Sequence, residues 1–298
     1  NGSMGLCRVI KEKVREEWAN VIWRAEADVV RAALRARRTE GMRKKGNLLG
    51  ESLLGEREAQ RRLDAYLALL KLPEIECVSV KISTLYSQIS TLARSATVHT
   101  ISDRLELLYR AALESQFERR DGTRVPKFVY LDMEEYRDMW LTADVFCQTL
   151  ERSGMEQVRA GIALQAYLPD SFTVQQQLTD WARTRVAAGQ APITIRIVKG
   201  ANMEMERVEA SLRGWPQAPY KVKIETDANY KRMLNYGLSL KNAGRMLELL
   251  LNPLPTWLTR FSRSSISSSR IFTTRTIPNG FCKMIRRWFL RINSSAGC

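Results

Sequence analysis

The sequence predicts an α/β fold, a TIM-type (β/α)8 barrel that is preceded by a helical segment. Nearly all-apolar segments alternate with stretches of helical spacing, a pattern typical of a parallel sheet covered by helices. One polar residue in successive strands also recurs at a regular distance. Asp132 and Gln165 lie 33 positions apart, and Gln165 and Arg196 lie 31 apart, close to the roughly 31 residues per unit of an eight-fold barrel of about 250 residues.

A doubly wound parallel sheet would fit the same alternation almost as well. Such a sheet usually binds its cofactor through a glycine-rich first turn. Neither GxGxxG nor GxxxxGK[ST] occurs in the chain, so the two common phosphate-binding turns are missing. The barrel is therefore favoured.

The predicted strands share an apolar run broken by one or two polar positions, and they are 77–83, 127–136, 160–170 and 193–200. The predicted helices share apolar residues three to four positions apart. They are 11–38, one that follows Leu48 and ends before Pro73, 101–120, 134–152, one that Asp170 or Ser171 caps and that ends near Gly189, and one that ends near Arg213. Between Lys81 and Asp132 the spacing grows to 51, and we expect the extra length in residues 118–126.

Composition and charge suggest three parts: a helical segment 1–45, a barrel segment 46–237 and a basic tail 238–298. The tail contains ten Lys and Arg residues against one acid, Glu248, and thus carries +9 of the net charge of +15. The rest of the chain is only mildly basic. This distribution argues against a nucleic-acid-binding protein, although the total charge alone would favour one.

Several other classes of protein lack support in the sequence. His99 is the single histidine, so a histidine-based metal site or catalytic triad is not expected. Five scattered cysteines without a CxxC pair indicate reduced thiols and a cytoplasmic protein. The sequence contains no run of 18 apolar residues, so a membrane-spanning helix is not predicted.

Polar residues on the strands locate the predicted site. Because side chains alternate along a strand, Ile193, Ile195 and Ile197 would pack on helices and Arg196 would point into the barrel. The same rule turns Lys81 and Gln165 inward and places Asp132 near the end of its strand. A salt bridge or hydrogen bond that only fills the barrel would explain any one of them. Four such residues on successive strands favour a site at the C-terminal mouth for an electron-rich planar or anionic ligand.

Several motifs then resemble one family. The segments "NLLGES" (47–52), "VSVKIS" (78–83), "YLDMEEYRD" (130–138), "ALQAYLPDS" (163–171), "IRIVKGANMEMERVEASLRGW" (195–215) and "TDANYKRML" (226–234) occur in this order. They resemble the proline dehydrogenase domain of bacterial proline-utilisation flavoproteins, over about residues 46–237. The resemblance implies a barrel of that kind.

The resemblance also implies a reaction and partners. An FAD-dependent enzyme of this family oxidises L-proline to 1-pyrroline-5-carboxylate, transfers a hydride to flavin N5 and passes the electrons to a membrane quinone. Relatives often carry a downstream aldehyde dehydrogenase domain. A cytoplasmic protein with peripheral contact to the inner membrane would be expected.

The resemblance further implies roles for particular residues. Arg196 would lie against flavin N5, and Gln165 would hydrogen-bond the isoalloxazine. Asp132 and Lys81 would line the substrate side, and Glu51 would close over the bound substrate. Val198 and Gly200 would let the backbone at the strand end approach the cofactor. Thr226 and Asp227 would lie near the ribityl-phosphate arm of the flavin.

The chain departs from the family at its end. The expected "SHN" strand and Tyr-x-x-Arg-Arg helix do not follow residue 247, and a Ser- and Arg-rich segment takes their place. The resemblance thus implies that the barrel of residues 46–237 is partial, incomplete at its C-terminus. A shifted reading frame would produce such a switch. Asn202, where relatives often carry an aromatic residue, is expected to be a tolerable surface change.

Two other functions stay open on the sequence. The chain could be a non-catalytic fragment of the barrel. It could also act through its tail, because "CKMIRRWFLRI" (282–292) has the pattern of a basic amphipathic helix on a membrane surface, or of an arm that binds nucleic-acid phosphates.

Overall fold

The computed structural model describes residues 13, 27–39, 45–47, 53, 55–119, 121–200, 202–239 and 247–251. The chain divides into two compact units, 1–44 and 45–298. In the first unit, helix α1 spans Ala27–Thr39, which confirms the second half of the helix predicted over 11–38. The rest of that prediction, apart from helical Lys13, lies outside the described residues.

Six parallel strands form the main sheet among the described residues, and a two-stranded antiparallel hairpin accompanies it. The strands of the sheet are β1 (Lys45–Asn47), β2 (Cys77–Lys81), β5 (Phe128–Asp132), β6 (Ala160–Gln165), β7 (Ile193–Val198) and β8 (Leu247–Leu251), and those of the hairpin are β3 (Gln116–Glu118) and β4 (Arg124–Pro126). All neighbouring strands of the sheet are parallel, in the order β1-β2-β5-β6-β7-β8. This confirms the predicted α/β fold with a parallel sheet.

The order of these strands discriminates between the two parallel architectures. A doubly wound sheet reverses its strand order at a switch point. The described strands of the sheet instead lie side by side in the order in which they occur in the sequence. The doubly wound alternative is therefore wrong for the described part of the chain.

Helices link the strands, as βαβ connections require. Their ranges are α2 (Glu56–Lys71), α3 (Ile82–Leu85), α4 (Arg94–Glu114), α5 (Met139–Leu150), α6 (Ser171–Ala187), α7 (Met203–Arg213) and α8 (Lys223–Gly237). A 3-10 turn, Tyr136–Asp138, leads into α5. The prediction did not include α8 as a helix, although it used part of its sequence as a motif.

Two helix boundaries and one predicted cap differ from the prediction for local reasons. Helix α4 begins at Arg94 rather than at residue 101, because its first two turns are mostly polar and carry little of the apolar stripe. It ends at Glu114, since Phe117 belongs to the hairpin. Asp170 occupies the position before α6 but makes no side-chain cap; its carboxylate accepts a hydrogen bond of 2.8 Å from the Tyr136 hydroxyl.

The extra length that the sequence predicted for residues 118–126 is part of a β-hairpin, which was not predicted. Strand β3 pairs with β4, and the turn between them contains Gly122 with a φ of 76°. The Arg119 amide donates to the Thr123 carbonyl across this turn at 2.9 Å. The insertion is thus a compact structure of its own and leaves the βαβ pattern intact.

Strand β8 lies in the segment that the sequence assigned to a basic tail. Leu247–Leu251 pairs in parallel with β7, with Leu250 opposite Arg196. The sequence "LELLL" gave no strand signal, because a run of leucines favours a helix. Residues 252–298, which include the amphipathic pattern of 282–292, lie outside the described residues.

The two faces of β7 have different surroundings, as the alternation predicted. Ile193, Ile195 and Ile197 are fully buried. On the opposite face Thr194 is also buried, whereas Arg196 and Val198, nearer the carboxyl end, keep some exposure. Because an isoleucine contributes about 1.5–3 kcal/mol when it is buried, this face of the strand fixes its register and so fixes where Arg196 points.

A buried arginine fixes the loops at the amino edge of the sheet. Arg185 on α6 is 4% exposed. Its guanidinium donates to the Gln190 side chain and to four backbone carbonyls, those of Leu150, Met155, Glu156 and Ala191. These loops precede β6 and β7, so the arginine helps to set where both strands begin.

Candidate active site

The predicted polar residues lie near the carboxyl ends of adjacent strands. Lys81 pairs in register with Asp132. Two strands further along, Arg196 pairs with Ala163, and Val198 pairs with Gln165. Because the carboxyl ends of parallel strands share one edge of the sheet, this edge carries the four polar residues that the sequence selected.

Arg196 and Asp132 form an ion pair across the intervening strand β6. The Arg196 Nη2 atom lies 2.5 Å from Asp132 Oδ1, and the two side chains are 13% and 12% exposed. The residue of β6 in register with Arg196 is Ala163. Its single methyl group leaves the space through which the long arginine side chain reaches the aspartate two strands away.

An aromatic ring supports the guanidinium from the same face of the sheet. The Arg196 Cζ atom lies 5.4 Å from the centre of the Tyr130 ring, within the range of a cation–π contact. The ring occupies the space beside Gly161, where an added Cβ would lie only 2.4 Å from Tyr130 Cε1. The Arg196 Nε atom is buried and has no hydrogen-bond partner among the described residues.

A second ion pair lies beside the first. The Lys81 ammonium is 2.9 Å from Glu134 Oε1, and the Ser83 hydroxyl donates to the other carboxylate oxygen, Oε2. The sequence analysis missed Glu134, although it belongs to the "LDMEEY" motif two positions after Asp132. It lies just past the end of β5, where the strand alternation that selected the other residues no longer applies.

The side-chain amide of Gln165 has its nitrogen hydrogen-bonded and its oxygen unpaired. Its Nε2 donates to the Met133 and Glu134 carbonyls, at 3.1 Å each. Its Oε1 is buried without a hydrogen-bond partner among the described residues. Because the two carbonyls fix which end of the amide is the donor, only an acceptor is left to meet a ligand.

Gly200 follows β7 and is required by its packing. Its φ is 148°, and an added Cβ would lie 2.0 Å from Tyr167 Cδ1. The Tyr167 amide donates to the Lys199 carbonyl at 2.9 Å, and the Ala166 amide donates to the Val198 carbonyl at 2.8 Å. The ends of β6 and β7 are therefore tied together, and the Tyr167 ring fills the space that the glycine leaves.

Residues of α8 form a neighbouring polar group. The Asp227 carboxylate is bonded to the Lys199 and Lys223 ammonium groups. Burial would raise the pKa of Asp227, but the two lysines outweigh it and hold this pKa below its usual value. Thr226 Oγ1 and the Tyr230 hydroxyl are buried and have no hydrogen-bond partner among the described residues.

A cavity of about 600 Å³ opens beside Lys81 and Glu134. Its other walls include Glu135, Asn202, Met205 and Glu206. Asn202, predicted to be a tolerable surface change, is partly buried, and its side-chain amide donates to the Glu134 carbonyl at 3.0 Å. The side chain of Asn202 holds the loop that carries Glu134.

Two acids near this cavity have raised pKa values. Burial raises the pKa of Asp138 to about 6, against the lowering effect of Arg137. Burial also raises the pKa of Glu206, whose Oε1 accepts a hydrogen bond of 2.6 Å from the Tyr136 amide. Protonation is therefore easier here than at ordinary carboxylates.

The remaining observations concern Glu51, metal ions and membrane-spanning helices. Glu51 lies outside the described residues. Within the described ranges, no group of three His, Cys, Asp or Glu residues could hold a metal ion. Among the described helices, none combines the length and apolar character that a bilayer crossing requires.

Comparison with known proteins identifies the family. The family model for proline dehydrogenase matches residues 30–248. The chain belongs to the proline dehydrogenase family. The match confirms the resemblance and extends beyond the predicted limits of 46–237 at both ends. No curated protein sequence matches the chain.

Solved structures of proline utilization A share the fold of this proline dehydrogenase domain. The protein from Corynebacterium freiburgense is 39% identical with a TM-score of 0.72, over 80% of this chain and 24% of its own. The protein from Bdellovibrio bacteriovorus, inactivated by N-propargylglycine, is 32% identical with a TM-score of 0.63, over 74% and 24% of the two chains. The chain thus spans about a quarter of these relatives' length. A variant from Bradyrhizobium japonicum, 24% identical with a TM-score of 0.60 over 70% and 21% of the two chains, supports the fold alone.

Proposed function

We propose that the chain is an FAD-dependent proline dehydrogenase domain that oxidises L-proline to 1-pyrroline-5-carboxylate. The observation that carries the proposal is the buried Arg196–Asp132 pair at the carboxyl edge of the sheet, beside the Lys81–Glu134 pair. These residues belong to the motifs of the family whose model matches the chain.

The unpaired polar atoms near the site fit a flavin. Gln165 Oε1, Arg196 Nε, Thr226 Oγ1 and the Tyr230 hydroxyl are buried without partners in the described part of the chain. Buried polar atoms are rarely left unsatisfied in native proteins. A flavin offers a ring N–H for the Gln165 acceptor, ring acceptors for Arg196, and a ribityl-phosphate chain for the residues near Asp227.

Arg196 would act through its charge. A bound flavin supplies the acceptor for the hydride that leaves the substrate carbon next to the ring nitrogen. Arg196 would place a permanent positive charge beside the ring that gains electrons, and such preorganised charge stabilises the reduced state without reorganisation during the reaction. Asp132 and the Tyr130 ring hold the guanidinium in place for that role.

The substrate would lie on the side of Lys81 and Asp132. The Lys81 ammonium lines the cavity and lies beside Glu134, so it would attract the carboxylate of an amino acid. Glu51 would close over the bound substrate, as the family resemblance implies. Val198 and Gly200 would bring the end of β7 next to the cofactor.

The rest of the proposal concerns architecture and partners. The sequential order of the strands supports closure into a (β/α)8 barrel of the proline dehydrogenase kind. We keep the division into 1–45, 46–237 and 238–298 as a working hypothesis, with β8 as a strand contributed from 238–298. The protein would be cytoplasmic and would bind peripherally to the inner membrane, where a quinone would accept the electrons. An aldehyde dehydrogenase domain would follow in full-length relatives. No nucleic-acid partner is expected.

An absorbance spectrum of the purified full chain tests this function. We expect an oxidised-flavin band that disappears when L-proline is added without oxygen and persists with D-proline. Arg196→Met should weaken flavin binding, whereas Arg183→Met, at an exposed side chain of α6, should not. A colourless protein that also fails to take up added FAD would contradict the proposal and favour the non-catalytic fragment.

A further inference from the structure

Glu134 forms an ion pair and hydrogen bonds with residues from three separate parts of the fold. Its carboxylate meets the Lys81 ammonium at 2.9 Å and accepts a hydrogen bond from the Ser83 hydroxyl. Its backbone carbonyl accepts from Gln165 Nε2 at 3.1 Å and from Asn202 Nδ2 at 3.0 Å. The residue is therefore fixed at both its side chain and its main chain.

We infer that Glu134 is a positioning residue that holds the Lys81 ammonium where the substrate carboxylate binds. This inference rests on the proposed function for its substrate but not for its geometry. Lysine has a flexible four-carbon stem and three ammonium donors. A fixed carboxylate that takes one donor orders the stem and leaves the other donors for a ligand.

The neighbouring acids are engaged elsewhere. Asp132 is the register partner of Lys81, but its Oδ1 faces Arg196 at 2.5 Å. Glu135 pairs with Arg137 at 2.7 Å. Glu206 accepts from the Tyr136 amide. Glu134 is thus the carboxylate that pairs with Lys81, whereas Asp132 pairs with Arg196.

Partial burial makes this contact effective. The Lys81 and Glu134 side chains are 30% and 22% exposed, so water screens the pair less than it screens a surface pair. Ser83 occupies the second oxygen of Glu134, which prevents rotation of the carboxylate. Loss of Glu134 would therefore release Lys81 to adopt several rotamers.

Acylation of lysines on the full chain, followed by mass spectrometry, tests the position of Lys81 without need of flavin or activity. In Glu134→Gln, the rate at Lys81, relative to exposed Lys71, should rise about 3- to 10-fold, because an ion pair no longer protects the amine. Ser83→Ala should raise it about twofold and provides the answer if the first variant does not fold. Glu135→Gln, the matched control, should leave it unchanged. An unchanged Lys81 rate in Glu134→Gln and in Ser83→Ala would overturn the inference.

Proline-dependent flavin reduction tests the consequence for the substrate. Glu134→Gln should raise the KM for L-proline about tenfold, as the loss of one charged hydrogen bond would, with less than a twofold change in the rate at saturation. A changed Lys81 acylation rate with an unchanged KM would overturn the assignment to substrate binding. If the wild-type chain does not reduce flavin, the proposed function fails, and the acylation result still decides whether Glu134 positions Lys81.

Discussion

Replacing Asp132 with alanine should destabilise the chain far more than an ordinary surface substitution. The change removes the carboxylate that lies 2.5 Å from the Arg196 guanidinium. Arg196 has the Tyr130 ring as its other neighbour and cannot lose its charge at any ordinary pH. Asp132→Ala therefore leaves a buried cation without its counter-ion.

The size of the effect follows from the burial of the pair. Both side chains are less than a seventh exposed, so the pair lies close to the class of buried pairs, for which removal of one partner costs about 3–5 kcal/mol. Arg196→Met should cost a similar amount, because it leaves Asp132 uncompensated. The double variant Asp132→Ala, Arg196→Met should cost much less than the sum, since removing both charges also removes their desolvation.

Urea unfolding followed by far-ultraviolet circular dichroism measures these free energies for the wild type and the three variants. Asp180→Asn, which removes the partner of exposed Arg183, serves as the surface control and should cost about 0–1 kcal/mol. The reasoning would be refuted if Asp132→Ala cost no more than this control. It would also be refuted if the two single changes were simply additive.

Three further substitutions test other parts of the structure. Burial raises the pKa of Asp138 to about 6, so the stability that its protonated form contributes is lost as the pH rises through 6. Asp138→Asn should therefore raise the free energy of unfolding by up to about 3 kcal/mol at pH 7.5 and change it little at pH 4. Urea titrations at both pH values measure the difference. Gly200→Ala should cost about 2–4 kcal/mol through backbone strain and the clash with Tyr167, and clearly less on a Tyr167→Ala background; equal costs on both would contradict the packing. Arg185→Met removes five hydrogen bonds and should cost about 3 kcal/mol or more, with faster amide exchange in residues 150–157; unchanged exchange there would contradict its role.

The main polar residues of the site could be predicted because strands have a period of two. Once Ile193, Ile195 and Ile197 were assigned to the buried face, Arg196 had to lie on the other. The same rule selected Lys81 in its own strand. What the rule cannot give is the partner of each residue, because the pairing of Arg196 with Asp132 depends on the small side chain of Ala163 on a third strand.

Other features could not be predicted from the sequence, because they depend on contacts between residues that are distant in the chain. Glu134 follows the end of β5, where no alternation marks the direction of a side chain. Gln165 was expected to hydrogen-bond a cofactor, yet its donor is used by two backbone carbonyls that only the tertiary structure brings near. Strand β8 consists of residues that favour a helix, and pairing with β7 overrides that preference.

The sequential order of the sheet has a consequence for how the protein can be made. Chains leave the ribosome from the N-terminus onward, and here each described strand of the sheet pairs with the strand synthesised just before it in that sheet. When β7 emerges, for example, β6 is already in place as its template. The sheet can therefore grow by one strand at a time during translation, and each new strand covers the exposed backbone edge that the previous one left.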